Sequence, residues 1–439
     1  MPELSQKLAS QGGLVRAIGR WSLVALTINS ILGSGIFGLP SQVQNLVGRK
    51  SPWAVLLAGF MTAVIVACYA EVASRFEGTG GTFIYCRAAF GRLIGLQVGW
   101  MLVLSRITAC AANANLLVMY LGEFWPQAGH PVARFGIVTI LLGFLLAVNY
   151  RGVRSGTRVS NFFVVAKLMP LAIVGIAGGL YLATHSTFAQ QSAEGTLKDW
   201  RSAVLLLLFA YGGYEAAMNP LGEARDPRRD APFALFVALA IVTAIYVLIQ
   251  WVVMGALPSA HTDRPLADAA RTFLGAGGAG LVAIGALLSV YGYLSANFLT
   301  GPRATFAFAE QGDFPHSFAA VHPKFRTPYV SIAVFAGLVW ILTMVGGFAW
   351  NVTLSAVARL FYYGAVCAAV PVLRRRSPEA AWFKLPMGGA FAGLGVLICL
   401  VLLTGVDFSK SLILLGTIAL AFLNWLAVRK RKTGTTHFV

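Results

Sequence analysis

The stretch Thr27-Ile-Asn-Ser-Ile-Leu-Gly-Ser-Gly-Ile-Phe-Gly-Leu-Pro40 lies inside an apolar run that extends from residue 21 to residue 47. The run is long enough to cross a bilayer, which takes about 20 apolar residues. Its glycines oppose a continuous helix, because each costs roughly 1 kcal/mol of helix stability relative to alanine. Backbone that leaves the helix at this depth is tolerated only where it is buried in protein or lines a cavity. The stretch therefore predicts a broken membrane helix.

The composition of the whole chain indicates a membrane protein. Of the 439 residues, 57% are hydrophobic and 11% are charged, whereas soluble domains average about 25% charged residues. This composition excludes an ordinary soluble enzyme, a disordered chain and a disulfide scaffold. The apolar runs predict an all-α membrane protein with twelve transmembrane helices, at residues 21–47, 53–74, 93–122, 132–150, 159–184, 200–220, 232–256, 277–308, 329–347, 350–373, 388–405 and 411–428.

A second glycine cluster interrupts the sixth run, in Leu208-Phe-Ala-Tyr-Gly-Gly-Tyr-Glu-Ala-Ala-Met-Asn-Pro220. If spans 1–5 and 6–10 are two repeats, the two interruptions occupy equivalent positions. Five is an odd number, so the second repeat enters the membrane from the opposite side. Paired interruptions in such an inverted 5+5 repeat indicate a substrate site at the membrane midplane. Glycines that only permit close helix packing are the alternative, which the matching positions disfavour.

The repeats divide the chain into five segments. These are a cytoplasmic N-terminal segment (1–20), the first five-helix repeat (21–184), the second, inverted repeat (200–373), two extra C-terminal helices (388–428) and a basic cytoplasmic tail (429–439).

The formal net charge is +18. Of the 34 Lys and Arg residues, 23 fall on the side of the two termini and eight in the opposite loops.

This charge distribution predicts the topology. Cytoplasmic loops of membrane proteins carry an excess of Lys and Arg, so both termini are expected in the cytoplasm. The protein is then a multi-pass protein of the plasma (inner) membrane, and its basic residues face the lipid of the inner leaflet. The basic excess is thereby explained, and no nucleic-acid partner is expected.

Cysteine and histidine usage argues against other classes of protein. The five cysteines fall in or beside the predicted spans, so neither a disulfide nor a disulfide-linked subunit is expected. The six histidines fall in predicted loops or the tail, without metal-ligand spacing. We therefore expect no metal site, no cofactor and no catalytic residues. A channel would show a repeated pore loop or a ring of charges, and neither is visible.

Two helix breaks that face each other can bind a zwitterion. The half-helix that begins near Ser34 presents free N–H groups and the positive end of its dipole, which suit a carboxylate. The half-helix that ends near Tyr211 presents carbonyl groups and the negative end, which suit an ammonium group. The pair of breaks predicts a site for an α-amino acid or a related amine.

The same residues resemble those of a known superfamily. Gly33-Ser-Gly-Ile-Phe37 resembles the first-span signature of the amino acid–polyamine–organocation transporters. Phe209-Ala-Tyr-Gly-Gly-Tyr-Glu215 resembles their sixth span, and Gly222-Glu-Ala-Arg-Asp-Pro227 the element that follows it. Residues 77–85 resemble the superfamily's loop between spans two and three, and residues 310–315 resemble the loop after its eighth span. Together these motifs extend over residues 20–330.

The resemblance implies both a fold and an activity. The fold is leucine-transporter-like, with spans 11 and 12 outside the two repeats. The activity is secondary active transport of amino acids across the plasma membrane by alternating access. Proton-coupled symport or exchange, independent of sodium, would drive uptake, with the proton as a second partner. A transporter of polyamines or other organic amines is the alternative.

The resemblance also implies which residues bind the substrate. In the superfamily the first-span break receives the substrate carboxylate, and the sixth-span break receives its amine. The carboxylate role falls here to Ser34, Gly35 and Ile36, and the amine role to Phe209, Ala210, Tyr211 and Gly213. Phe209 matches an aromatic residue that caps the substrate, and a core aromatic is the alternative.

Lys167 lies about nine residues into span 5, or about 13 Å deep at ~1.5 Å per residue. The resemblance implies a role in coupling, because proton-linked and sodium-independent members carry a lysine in this span. Its amine would replace a bound cation and donate to carbonyls of the broken first helix. Burial disfavours the charged amine, which allows exchange of a proton during transport. The alternative is a structural lysine whose ammonium reaches the membrane surface.

Ionisable residues within spans are functional candidates by default. Glu215 matches a glutamate linked in the superfamily to pH response or to recognition of a cationic side chain; a structural salt bridge is the alternative. Arg106 lies in span 3, where the superfamily lines the side-chain pocket. It either pairs with Glu215, contacts the substrate and favours an anionic side chain, or is structural. Arg359 in span 10 is expected to be structural or gating.

Overall fold

The computed structural model describes residues 18–76, 81–152, 157–185, 195–218, 221–257, 261–377 and 381–429, with the backbone alone at residues 157–166. The predicted segment before residue 18 and the basic tail from residue 430 lie outside these residues. The described chain is helical, and its one β contact is an isolated parallel bridge between Ile18 and Ala224.

Sixteen α-helices form within the described residues. In chain order they are α1 Arg20–Ile31, α2 Ser34–Gly38, α3 Pro40–Val47, α4 Ser51–Ala73, α5 Gly81–Phe90, α6 Arg92–Leu121, α7 Pro131–Arg151, α8 Thr157–Thr184, α9 Leu197–Tyr211, α10 Tyr214–Ala217, α11 Pro227–Ala256, α12 Pro265–Glu310, α13 Tyr329–Val345, α14 Phe348–Arg376, α15 Gly388–Leu403 and α16 Phe408–Val428. Short 3₁₀ turns lie at Gly48–Lys50, Pro126–Gly129, Leu221–Glu223 and His316–Ala319.

Eight helical stretches of the described chain are long and apolar enough to cross a membrane. They are Pro40–Ala73, Arg92–Leu121, Pro131–Arg151, Lys167–Thr184, Pro227–Ala256, Pro265–Glu310, Phe348–Arg376 and Phe408–Val428. Two shorter apolar helices are Tyr329–Val345 and Gly388–Leu403. The prediction of an all-α membrane protein is confirmed. Predicted spans 1 and 6 do not form single long helices, because each is interrupted.

The first interruption lies at Leu32 and Gly33. Helix α1 ends at Ile31, Leu32 is extended (φ −67°, ψ 92°), and Gly33 is extended as well (φ −124°, ψ −150°). Helix α2 begins at Ser34, and Leu39 joins it to α3 in a helical conformation (φ −92°, ψ −23°). The half-helix that starts at the break therefore continues through α3. The break that the glycine cluster predicts is present.

The second interruption lies at Gly212 and Gly213. Helix α9 ends at Tyr211, Gly212 is extended (φ −73°, ψ 163°), and Gly213 takes φ +116° before α10 begins. A Cβ on Gly213 would lie 2.2 Å from the carbonyl oxygen of Ser30 in α1. Only glycine fits there, because both the positive φ and the close backbone exclude a side chain.

Two helical segments differ from the sequence prediction. Residues 81–90 were expected in a loop and form α5 instead. The second lies within α12: Gly275 is not helical (φ 69°, ψ −166°), so residues 265–274 form a separate short helix where the sequence predicts a loop, and the predicted start of span 8 at residue 277 lies just after the break. Glycines near both segments lower the helical signal of the sequence, and the packing of the folded chain offsets their cost.

Helix packing forms two groups that meet around the breaks. In the first group, α11 packs against α1 and α4, and α9 packs against α4. In the second, α6 packs against α12, α13 and α14, and α8 packs against α12. Contacts of α8 with α11 and of α14 with α4 and α9 join the groups. The two broken helices thus belong to one group and face the other.

Candidate functional site

The two helix breaks touch each other at Gly35 and Ala210. A Cβ on Gly35 would lie 2.7 Å from the Cβ of Ala210 and 2.8 Å from its Cα. The hydroxyl of the neighbouring Ser34 is buried and has no hydrogen-bond partner among the described residues. A small cavity beside the contact is lined by residues of α2, α3, α4, α9 and α11, among them Ile36, Tyr246 and Gln250. The residues that the resemblance assigns to the two ends of a zwitterion are therefore adjacent.

Tyr246 of α11 holds the backbone of both breaks. Its hydroxyl donates to the carbonyl oxygen of Ala210 at 2.8 Å and lies 3.4 Å from that of Ile31. Sequence analysis missed this residue, because its only signal is one hydroxyl within an apolar helix. The contact orients the last carbonyls of α9, which lack partners within their own helix.

Lys167 of α8 lies on the other side of the first break. Its ammonium donates to the carbonyl oxygens of Asn29 at 2.7 Å and Leu32 at 2.8 Å. The side chain is buried. These carbonyls form the negative end of α1, which favours a cation. The alternative of an ammonium at the membrane surface is wrong, since both contacts hold it at the break.

Glu215 forms an ion pair with Arg359, so the alternative in which Arg106 pairs with Glu215 is wrong. Its Oε1 accepts from the Tyr362 hydroxyl at 2.8 Å and lies 3.4 Å from Nη1 of Arg359. Its Oε2 accepts from the Gly213 N–H at 2.9 Å and from the Tyr363 hydroxyl at 3.1 Å. The carboxylate thus has four polar neighbours. The three side chains of α14 reach it together because residues three and four apart share one helix face.

The guanidinium of Arg359 lies directly over the second break. A Cβ on Gly212 would lie 1.6 Å from its Nη1, so the bare glycine backbone provides the space. Its Cζ lies 5.5 Å from the centre of the Phe209 ring, a cation–π contact. Its Nε donates to Oγ of Ser105 in α6 at 3.2 Å. Arg359, expected to be structural or gating, is the ion-pair partner of Glu215.

Arg106 has no hydrogen bond or ion pair to any residue that the structure describes, and its side chain is partly exposed. It directly follows Ser105 in α6, and Oγ of Ser105 accepts from Nε of Arg359, the residue that lies over the second break. Arg106 is therefore a cation near the breaks without an acidic partner in the described chain.

Four tyrosines enclose Glu215, and the sequence analysis singled out none of them. Ring centres lie 5.3 Å apart for Tyr69 and Tyr214, 5.7 Å for Tyr69 and Tyr363, and 5.3 Å for Tyr214 and Tyr363. Tyr362 stands edge-on to Tyr363 at 4.9 Å. These rings come from α4, α10 and α14, so they join the broken helix to both of its neighbours.

Outside the breaks, Glu71 ties the end of α4 to α14. Its oxygens accept two hydrogen bonds from Arg374, at 2.7 and 2.6 Å, one from Arg75 at 3.0 Å and one from the Leu385 N–H at 3.0 Å. The carboxylate is fully buried. A buried carboxylate with this many donors is a structural anchor, and it is separate from the breaks.

Comparison with known proteins defines the class. The model of the amino acid permease family matches residues 18–423, and the chain belongs to this family. The predicted amino acid–polyamine–organocation superfamily is thereby confirmed. The protein is a membrane transporter of the amino acid permease type rather than an enzyme.

Individual relatives cover nearly the whole chain. The serine/threonine exchanger SteT of Bacillus subtilis (strain 168) is 28% identical over 388 residues, 85% of this chain and 87% of the relative. The methylthioribose transporter of the same strain is 28% identical over 443 residues, 94% and 92% of the two chains. Its branched-chain amino acid permease BcaP is 27% identical over 433 residues, 91% and 90% of the two chains.

Proposed function

We propose that the protein is a secondary active transporter that moves an amino acid across the plasma membrane by alternating access. The observation that carries the proposal is the contact between the two breaks at Gly35 and Ala210. One break presents the N–H end of a half-helix, and the other presents the carbonyl end of α9. An α-amino acid carries the complementary pair of charges.

Each end of the substrate then has its own set of groups. The carboxylate binds the N–H groups at Ser34, Gly35 and Ile36, and the unpartnered Ser34 hydroxyl adds a donor. The ammonium binds carbonyls at the end of α9, in the segment Phe209, Ala210, Tyr211 and Gly213. Tyr246 supports this assignment, because it fixes the direction of the Ala210 carbonyl.

The packing of the helices supports the alternating-access part of the proposal. In a leucine-transporter-like fold with twelve spans and a 5+5 inverted repeat, α1–α4 and α9–α11 form the group of helices that moves during alternating access. The remaining repeat helices form the scaffold, and α15 and α16 lie outside the repeats. The two packing groups of the described helices follow this division. Both termini are cytoplasmic in this arrangement, as the distribution of Lys and Arg favours.

Lys167 supplies the coupling in this proposal. Its ammonium occupies the carbonyl end of α1, where a bound cation would otherwise complete the coordination. Loss of its proton would release the two carbonyls and loosen the break. Transport is then linked to protons and independent of sodium, as symport or as exchange. Glu215 is a weaker candidate for proton exchange, since Arg359 and two tyrosines hold its charge.

The relatives narrow the range of substrates to test. Two of them are named for serine and threonine exchange and for branched-chain amino acids. A third is named as a methylthioribose transporter. A polyamine substrate is disfavoured, because the carboxylate that would attract it is already paired with Arg359.

The proposal is tested by an uptake screen in proteoliposomes. Labelled amino acids, methylthioribose and putrescine are offered with and without an inward proton gradient, in sodium-free and sodium-containing buffer. We expect uptake of at least one amino acid, stimulation by the proton gradient or by amino acid inside the vesicle, and no effect of sodium. Protein-free liposomes are the control. Absence of transport and of competition by every amino acid would contradict the proposal.

A further inference from the structure

We propose that Arg359 determines the charge selectivity of the substrate site, so that the site accepts amino acids with neutral or anionic side chains and rejects cationic ones. This inference rests on the proposed function, because it concerns the substrate of the same two breaks. It assigns to Arg359 a specificity role beyond the structural or gating role that the sequence suggests.

The first argument is the position of the guanidinium. It lies over Gly212, with Cζ 5.5 Å from the centre of the Phe209 ring. The face of an aromatic ring attracts a cation. The protein thus supplies its own cation at the Phe209 ring, where a cationic side chain would otherwise bind. The space exists only because residue 212 lacks a side chain.

The second argument is the state of Glu215. Both of its oxygens are engaged, by Arg359, Tyr362, Tyr363 and the Gly213 N–H. A lysine or polyamine substrate would have to break this set of contacts to reach the carboxylate. Breaking the pair would leave the charge of Arg359 buried without an anion, which is strongly destabilising. Glu215 is therefore a partner for Arg359 and not a free acceptor for substrate.

The third argument is the balance of charges around the breaks. Helices α1, α2, α6 and α14, all of them described, contain no acidic residue, and the single acid of α9 is Asp199 at its other end. Against Glu215 stand Arg359, Arg106 and Lys167. Rejection of a partner through like charge is a general means of specificity. The site therefore repels a cationic side chain.

The fourth argument is the geometry of the ion pair. Nη1 of Arg359 is buried and lies 3.4 Å from Oε1 of Glu215, but the pair does not have hydrogen-bond geometry. A hydroxyl, amide or carboxylate oxygen on the substrate side chain would give Nη1 the hydrogen bond that its ion pair does not supply. An unsatisfied buried donor is costly, so a substrate that supplies an acceptor gains affinity. The structure thus favours polar acceptor side chains over amines.

The experiment measures inhibition of uptake of the amino acid found in the screen by lysine, arginine and putrescine. The wild type is expected to be insensitive to all three. Arg359→Met exposes the Glu215 carboxylate, and we expect cationic amino acids to compete roughly tenfold better or more, the factor that corresponds to about 1.4 kcal/mol. The double variant Arg359→Met/Glu215→Gln is the matched control, and there the gain disappears. Arg359→Lys keeps the positive charge and keeps the rejection.

A variant of Glu215 provides a second test in case Arg359→Met does not fold. Glu215→Gln leaves Arg359 and Arg106 without an anion, so competition by aspartate and glutamate should improve roughly tenfold. The inference is overturned if the wild type transports lysine or putrescine as well as neutral amino acids, or if Arg359→Met or Glu215→Gln transports with wild-type selectivity. Absence of any amino acid transport by the wild type would instead overturn the proposed function.

Discussion

Gly35 and Ala210 bring the two broken helices into direct contact, since a Cβ on Gly35 would lie 2.7 Å from the Cβ of Ala210. This contact places the N–H end of one half-helix beside the carbonyl end of the other. The absence of a side chain at Gly35 is what allows the two backbones to approach this closely.

Substitution of Gly35 by alanine should impair the site. The added methyl group meets backbone and Cβ atoms of Ala210, and overpacking of this kind costs about 1–3 kcal/mol. We expect reduced uptake and a lower thermal unfolding temperature in detergent. Gly143→Ala is the matched control, because nothing lies within 4 Å of that Cβ position. Equal behaviour of the two variants would show that the close approach at Gly35 is unimportant.

Gly213 should tolerate alanine less well than Gly91 does. Both glycines have positive φ, +116° and +84°, so each substitution carries a backbone strain of about 1–3 kcal/mol. The added Cβ at Gly213 also lies 2.2 Å from the Ser30 carbonyl oxygen, whereas that at Gly91 has open space. We expect loss of substrate competition in Gly213→Ala alone, measured by uptake in proteoliposomes. A similar loss in both variants would assign the effect to backbone strain.

Replacement of Lys167 by methionine should remove the response to a proton gradient. It leaves the carbonyls of Asn29 and Leu32 unpartnered, which costs about 1–3 kcal/mol for each buried group. It also removes the titratable amine at the first break. The measurement is gradient-driven uptake, with the exposed Lys198→Met as control. Gradient-driven uptake at the wild-type level would remove Lys167 from the coupling mechanism.

Glu71→Gln should destabilise the fold strongly. Removing one partner of a buried, hydrogen-bonded ion pair costs about 3–5 kcal/mol, because Arg374 and Arg75 lose their anion. Asp226→Asn is the control: its ion pair with Arg229 is half exposed at 3.5 Å, and such pairs contribute about 0–1 kcal/mol. Thermal unfolding in detergent should separate the two variants clearly. Equal melting temperatures would mean that the Glu71 contacts contribute little.

The helical breaks could be predicted from the sequence because glycine clusters act locally. Gly33 lies at the interruption of one span and Gly212 and Gly213 at that of another, inside the two glycine clusters of the sequence. Gly275 also interrupts the helical path of α12, and the predicted start of span 8 at residue 277 lies just after it, whereas the short helix that begins at Pro265 is not evident from the sequence. Local propensity therefore indicated where helices stop, and packing decided how far they continue.

For the charged residues, the sequence shows which groups are unusual but not how they pair. The sequence identified Lys167, Glu215, Arg106 and Arg359 as costly groups inside apolar spans, because a charge in such a segment is visible without a structure. The sequence left the partner of Glu215 open, and the structure gives it as Arg359 rather than Arg106. Arg106 and Arg359 lie on different helices, and the helix rotations that bring Arg359 to Glu215 are set by packing across the whole bundle.

The sequence by itself determined the class of the protein: an apolar chain with two glycine-broken spans. Those properties follow from composition and local backbone preference, which do not depend on distant contacts. Only the tertiary structure decided that Tyr246 bridges the breaks, that four tyrosines enclose Glu215, and that Arg359 occupies the space over Gly212. Each of these contacts joins residues far apart in the chain, so it exists only once the helices have packed.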